Sequence, residues 1–157
     1  MLDGMENNAL IVLTGKQVID GEENCYELTT VGNYTKKGDK YYISYEGSEI
    51  TGYEDSRTTL KVKRDSVSMI RFGKSSAQMI FEKGSKYSGF YNTPFGGLSV
   101  DVTTKNLQVD IDDDGGEFSL DYYIQLNNDI PILNGMHVKI RKVGNESDGI
   151  RTDEEYA

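Results

Sequence analysis

The sequence predicts an all-β domain, a single antiparallel and mostly up-and-down barrel. Three observations carry this. Apolar and polar residues alternate with period 2 through most of the chain. The connections between alternating runs are short and polar, and short connections force antiparallel neighbours. No segment shows a sustained 3.6-residue apolar period, which leaves no crossover helices for a parallel sheet. A long series of hairpins must also manage its edges, and closure into a barrel removes them. A β-sandwich is the competing architecture.

About eleven runs satisfy the strand pattern, near 9–19, 24–36, 40–46, 57–63, 66–72, 77–83, 86–92, 96–105, 107–112, 116–127 and 133–143. In the second, Tyr26, Leu28, Thr30 and Tyr34 share a face. In the fourth, Thr58, Leu60 and Val62 oppose Thr59, Lys61 and Lys63. In the fifth, "SVSMIRF", Val67, Met69 and Arg71 are in phase. In the eighth, Leu98, Val100 and Val102 group together. The tenth, "FSLDYYIQL", sets Phe118, Leu120, Tyr122, Ile124 and Leu126 against Glu117, Ser119, Asp121, Gln125 and Asn127. The last sets Met136, Val138 and Ile140 against His137, Lys139 and Arg141. Residues 47–56 form the longest gap before the final third and are placed to cover a barrel mouth. The barrel domain is expected over 9–143, after a flexible lead at 1–8 and before a disordered acidic tail at 144–157.

"YNTPFGGLSV" interrupts this pattern with Pro94, and a central strand excludes proline. Thr93-Pro94-Phe95-Gly96 is read as the end of one strand and a corner into the next, starting at Gly96 or Gly97. Phe95 would then cap the apolar interior at that end.

At 157 residues, the chain is one domain and long enough to bury roughly 70% of its unfolded surface. Its net charge of −9 argues against nucleic acid as a partner, since such binding neutralises phosphates. Lys61, Lys63 and Arg64, with Arg57, form the one basic cluster and read as a solvated strand face. The single cysteine, Cys25, excludes an internal disulfide. The N-terminal run "ALIVL" follows acidic residues and is too short for a signal peptide. No stretch approaches the ~18 apolar residues of a membrane span. The expectation is a cytoplasmic protein with no membrane and no nucleic-acid partner.

The segments "KYYISYEG", "TTLKV", "VSMIRFG", "AQMIFEKG", "YNTPFGGLSVDVTT" and "GEFSLDYYIQLN", in this order, resemble the YwiB-like family of uncharacterised bacterial proteins. The resemblance covers roughly Leu10 to Val143. It is most specific at Tyr45-Glu46, Arg71 with Gly73, Met79 with Phe81, and Thr93-Pro94-Phe95-Gly96. It implies a calycin-type barrel, lipocalin-like in shape, and no particular activity. Small-ligand binding follows from it only by analogy of fold.

Arg71 stands out, because its phase points it into the barrel. A buried guanidinium needs a carboxylate or several acceptors. It is either a structural plug at one mouth or an anchor for an anionic ligand, which arginine grips bidentately. The candidate ligand-binding set is Arg71 with Tyr45, Met69, Met79, Phe81, Thr93, Phe95 and Tyr122. Interior tyrosines at 34, 41, 45 and 122 satisfy one another or meet a polar ligand. "DIDDDGGEFSLD" matches the start of an EF-hand loop, but its twelfth position is Asp121 and strands flank it, so it reads as an acidic hairpin turn. His137 is the only histidine and falls on a polar face, so no Ser-His-Asp or metal-ligand pattern forms. The chain is therefore expected to be non-enzymatic, with no cofactor and no metal. Two functions compete: binding of a small amphipathic or anionic ligand in the barrel, or a protein-interaction module with a side-chain-filled barrel. An interior void of roughly 300 Å³ or more, with polar groups converging on it, separates them.

Overall fold

The computed structural model describes residues 7–47, 55–74, 76–93, 95–127 and 129–143, without the side chains of 91–93. Ten strands follow one another: β1 (Ala9–Ile19), β2 (Glu22–Lys37), β3 (Lys40–Glu46), β4 (Ser56–Val62), β5 (Ser66–Gly73), β6 (Ser76–Glu82), β7 (Lys86–Thr93), β8 (Gly96–Asp112), β9 (Gly115–Leu126) and β10 (Ile132–Lys142). Each pairs antiparallel with its sequence neighbours, and β1 pairs β10 from Ala9↔Lys142 to Val18↔Leu133. The ring is closed, so the architecture is a barrel and not a sandwich.

Ten strands replace the expected eleven, because 96–105 and 107–112 form one strand. The register of β8 against β9 shifts between Thr104 and Asn106. The extra residue moves the inward phase from Val100, Val102 and Thr104 to Leu107, Val109 and Ile111. A change of phase in the sequence looks like a strand break. In the structure it is a bulge.

The barrel has a base and a mouth. At the base lie the turns at 38–39, 63–65, 83–85 and 113–114; at the mouth lie the connections at 20–21, 47–55, 74–75, 94–95 and 127–131. The core fills the base half. Inward residues there, such as Ile11, Val67, Phe118 and Val138, are fully buried. Toward the mouth the same phase continues through Tyr122, Ile124 and Leu126, which are only partly buried. The interior is therefore dense at the base, while at the mouth Tyr45, Ser56, Thr58 and Val100 are buried on one side and Tyr122, Ile124 and Leu126 are not on the other.

The acidic β8–β9 turn locks the base. The buried Tyr34 hydroxyl donates to the Asp112 carbonyl, and its ring stacks on Tyr41 with centroids 5.5 Å apart. Burial pushes the Tyr34 phenol well above its ordinary pKa, so it stays a donor. The Tyr41 hydroxyl donates to Asp113 Oδ1 at 2.9 Å, and Lys36 Nζ lies 3.3 Å from the same oxygen. The Tyr41 hydrogen bond, followed by Lys36, holds the Asp113 carboxyl below the usual carboxylate range. The segment is thus a hairpin turn between two strands: Asp113 engages β2 and β3, and the Asp112 carboxylate accepts from the Asp114 N–H. Below it, Asn8 bonds the Tyr34 backbone through its side chain, at 2.7 and 3.0 Å, and Val143 N–H donates to the Asn8 carbonyl at 2.8 Å. The rest of the expected lead, 1–6, and the expected tail, 144–157, lie outside the described residues.

One seam of the ring is thin. β6 and β7 pair only at Ser76↔Asn92 and Ala77↔Tyr91, although the same register could continue toward the 83–85 turn. Every other neighbouring pair is joined over five positions or more.

At residues 93–96 one strand ends and the next starts at Gly96, as expected, but the corner and the Phe95 cap do not form. Thr93 pairs with Gly96, so the chain reverses in a two-residue hairpin instead of bending a strand around a corner. Pro94 lies outside the described residues. Phe95 does not cap the interior: it is 99% exposed. A turn residue at a barrel rim has no strand phase to direct it inward. Of the two glycines, Gly96 has the positive φ, 127°, and a Cβ there would meet nothing within 4 Å. Gly96→Val should therefore cost only the backbone strain, about 1–3 kcal/mol. Chemical denaturation measures this, and a melt identical to the parent's would remove the strain argument.

Candidate functional site

A cavity of about 500 Å³ occupies the mouth half of the barrel. Its floor and one wall come from β5 and β6: Met69 on β5 pairs with Met79 on β6, and Val67 with Phe81, in adjacent inward positions. Phe81 meets Tyr122 of β9 across the interior, with ring centroids 4.7 Å apart and tilted by 58°. Met136 of β10 completes a floor of thioethers and rings. Such a surface is apolar, polarisable and adaptable in shape.

Polar groups gather nearer the mouth. Arg71, two residues after Met69 on the same face of β5, is buried and borders the cavity. Its Nε donates to Thr58 Oγ1 at 3.3 Å, and its Nη2 lies 3.7 Å from Met69 Sδ. Gln17 of β1 and Asn134 of β10 are cross-strand partners, and Gln17 Nε2 donates to Asn134 Oδ1 at 3.2 Å. Asn134 Nδ2 in turn donates to the Ile132 carbonyl at 3.0 Å. Both amides are thus oriented by the barrel wall. Lys16 and Cys25 stand at the margin. The arrangement suits binding: an apolar floor, directed polar groups above it, and a guanidinium among them.

Five of the eight sequence-predicted residues come together here: Arg71, Met69, Met79, Phe81 and Tyr122. Tyr45 is buried in the core but does not line the cavity. The Thr93 side chain lies outside the described residues, and Phe95 points to solvent. Sequence reading missed Gln17, Tyr26, Asn134 and Met136. Asn134 was detectable, since it keeps phase with Met136, Val138 and Ile140, and a polar residue on an inward phase marks either a cavity or a buried network. His137 is placed as expected on the outer face, 2.7 Å from Glu117 Oε1.

The family described as Domain of unknown function (DUF1934) matches residues 11–138, from Ile11 in β1 to Val138 in β10. The chain belongs to the DUF1934 family. That match spans all ten strands, so the DUF1934 unit is the whole ring and includes both walls of the cavity. The uncharacterized beta-barrel protein YwiB of Bacillus subtilis is 29% identical over 136 residues, covering 85% of this chain and 94% of YwiB. The crystal structure of the ywiB protein from Bacillus subtilis superposes with a TM-score of 0.74 at 26% identity, covering 91% of this chain and 98% of that one. The resemblance read from "VSMIRFG", "AQMIFEKG" and "YNTPFGG" is therefore correct, as is the all-β barrel.

Proposed function

We propose that this DUF1934 protein is a cytoplasmic, non-enzymatic, calycin-like carrier of a small amphipathic anion. The observation that carries the reading is the 500 Å³ cavity bordered by the buried Arg71. A side-chain-filled barrel would favour the interaction-module alternative, and the mouth half holds a cavity beside β1, β9 and β10. The volume lies within the range of small-molecule sites, and apolar lining with a few convergent polar groups is their usual composition. The apolar part of the ligand lies on Met69, Met79, Phe81 and Met136. Its charged end meets the Arg71 guanidinium; because that group borders the cavity, we read Arg71 as an anchor in preference to a plug.

The test uses dodecanoate and an Arg71→Met variant. A hydrogen bond to a charged group contributes about 1.5–3 kcal/mol. The variant should therefore bind dodecanoate about 10- to 100-fold more weakly. Dodecanoate should raise the melting point of the parent and much less that of the variant, because ligand stabilises only the state that binds it. Equal binding by both would remove Arg71 from the site. A ligand-free melting point far below the parent's would return Arg71 to the role of structural plug.

A further inference from the structure

Of the seven exposed large apolar side chains among the described residues, four lie in or next to the connections at the mouth, and Tyr26, Val31 and Phe90 lie within strands. Ile19 ends β1, Phe72 lies near the end of β5, Phe95 sits in the β7–β8 turn, and Ile130 lies between β9 and β10. All four stand at the mouth, in or beside four of its five connections; the fifth runs largely through residues outside the description. Phe95 and Ile130 are the most exposed, at 99% and 83%. Among the described residues, no base turn carries an exposed large apolar residue, and the base turns are instead charged.

The described residues of the rim carry no net positive charge. Lys16 pairs with Glu23, Lys74 with Asp55, and Arg57 with Glu46, while Asp20, Glu22 and Asp129 add further carboxylates. An anionic surface would be repelled, and attraction by charge is not available to the mouth.

We propose that the mouth is a docking surface for a zwitterionic phospholipid surface, into which Phe72, Phe95, Ile130 and Ile19 insert while the cavity faces the lipid. A protein interface concentrates its apolar residues at the centre and surrounds them with a polar rim. Here the centre is a cavity opening and the apolar residues form the rim. A fluid surface conforms to separate apolar tips around a hole, whereas a rigid partner does not. Aromatic and large aliphatic side chains partition into the interfacial zone of a bilayer. The proposed cargo, an amphiphile, dissolves in the same zone, so docking would align the cavity with its source. That loading role rests on the carrier reading; the docking itself rests on the rim. It revises the sequence expectation of no membrane partner, which followed from the absence of a spanning run, because surface contact needs no span.

The chain contains no tryptophan, so Phe95→Trp introduces a single reporter. With phosphatidylcholine vesicles its emission should shift to the blue, and the protein should float with the vesicles. Adding Phe72→Asp and Ile130→Asp should weaken vesicle binding at least tenfold while leaving dodecanoate affinity within about twofold. Val31→Asp, on the barrel wall toward the base, should leave vesicle binding unchanged. Absence of a shift with vesicles overturns the proposal. So does binding that requires anionic lipid and ignores the rim substitutions, or a blue shift that tracks protein concentration without vesicles, which would mean that copies of the chain pair through the mouth. Vesicle binding without dodecanoate binding would sink the carrier reading and leave docking intact; the reverse would sink docking alone.

Discussion

Gly116→Val should destabilise the barrel by more than about 4 kcal/mol, the range reached only by named severe mechanisms. Two causes act together. Gly116 has a φ of 138°, which a branched residue adopts only under strain of about 1–3 kcal/mol. In addition, a Cβ there would lie 2.2 Å from the Asp110 carbonyl oxygen and 2.7 Å from the Ile111 Cα. These are backbone atoms of β8, the strand that Gly116 pairs with, so relief requires moving the ladder beside the Asp112–Asp114 turn. At about 2–4 °C per kcal/mol for a domain of this size, the melting point should fall by roughly 8–16 °C. Gly96→Val supplies the comparison, because it carries the strain without the collision. If the two variants melt alike, the close approach of β8 to β9 contributes nothing.

Phe118→Ala should cost about 3–5 kcal/mol, the usual range for truncating a buried phenylalanine. Phe118 is 1% exposed and faces Val138 across β10 and Val109 across β8 in the filled half of the barrel. Neighbours there are held by a closed ring and cannot collapse freely onto the space. Because Phe118 does not line the cavity, dodecanoate affinity of the folded variant should match the parent's. Denaturant melts and ligand titration read the two effects separately. A cost below about 1 kcal/mol would mean that the base is loosely packed.

The periodicity of the sequence specifies the strands because one face of each is buried, and a one-residue slip would turn every inward side chain out. This is why the phase of "SVSMIRF" sufficed to bring Met69 and Arg71 to the cavity, and why Tyr122 could be placed from Phe118 and Leu120. Where phase is absent or shifts, the reading fails. Phe95 sits in a turn and has no phase. Thr104 and Asn106 straddle a bulge, and two apparent strands proved to be one. Gln17 and Asn134 were missed for a different reason. Each lies on an inward phase, yet a polar residue there reads as fraying at a strand end unless a hollow is already suspected. Separating the filled base from the hollow mouth depends on side-chain volumes summed across ten strands, and no single segment contains that sum.

The thin β6–β7 seam bears on where the chain could be cut. Asn8 and Val143 are joined by a hydrogen bond at the base, and β1 and β10 are zipped along ten cross-strand positions. The ring is thus firmly sealed between its first and last strands, and least sealed between β6 and β7. A circular permutant that links Val143 to Asn8 and opens the chain at 83–85 would start at β7 and finish at β6. Its termini would flank a junction that holds only two cross-strand pairs in the parent. The order of strands along the chain and the extent of pairing around the barrel are therefore independent.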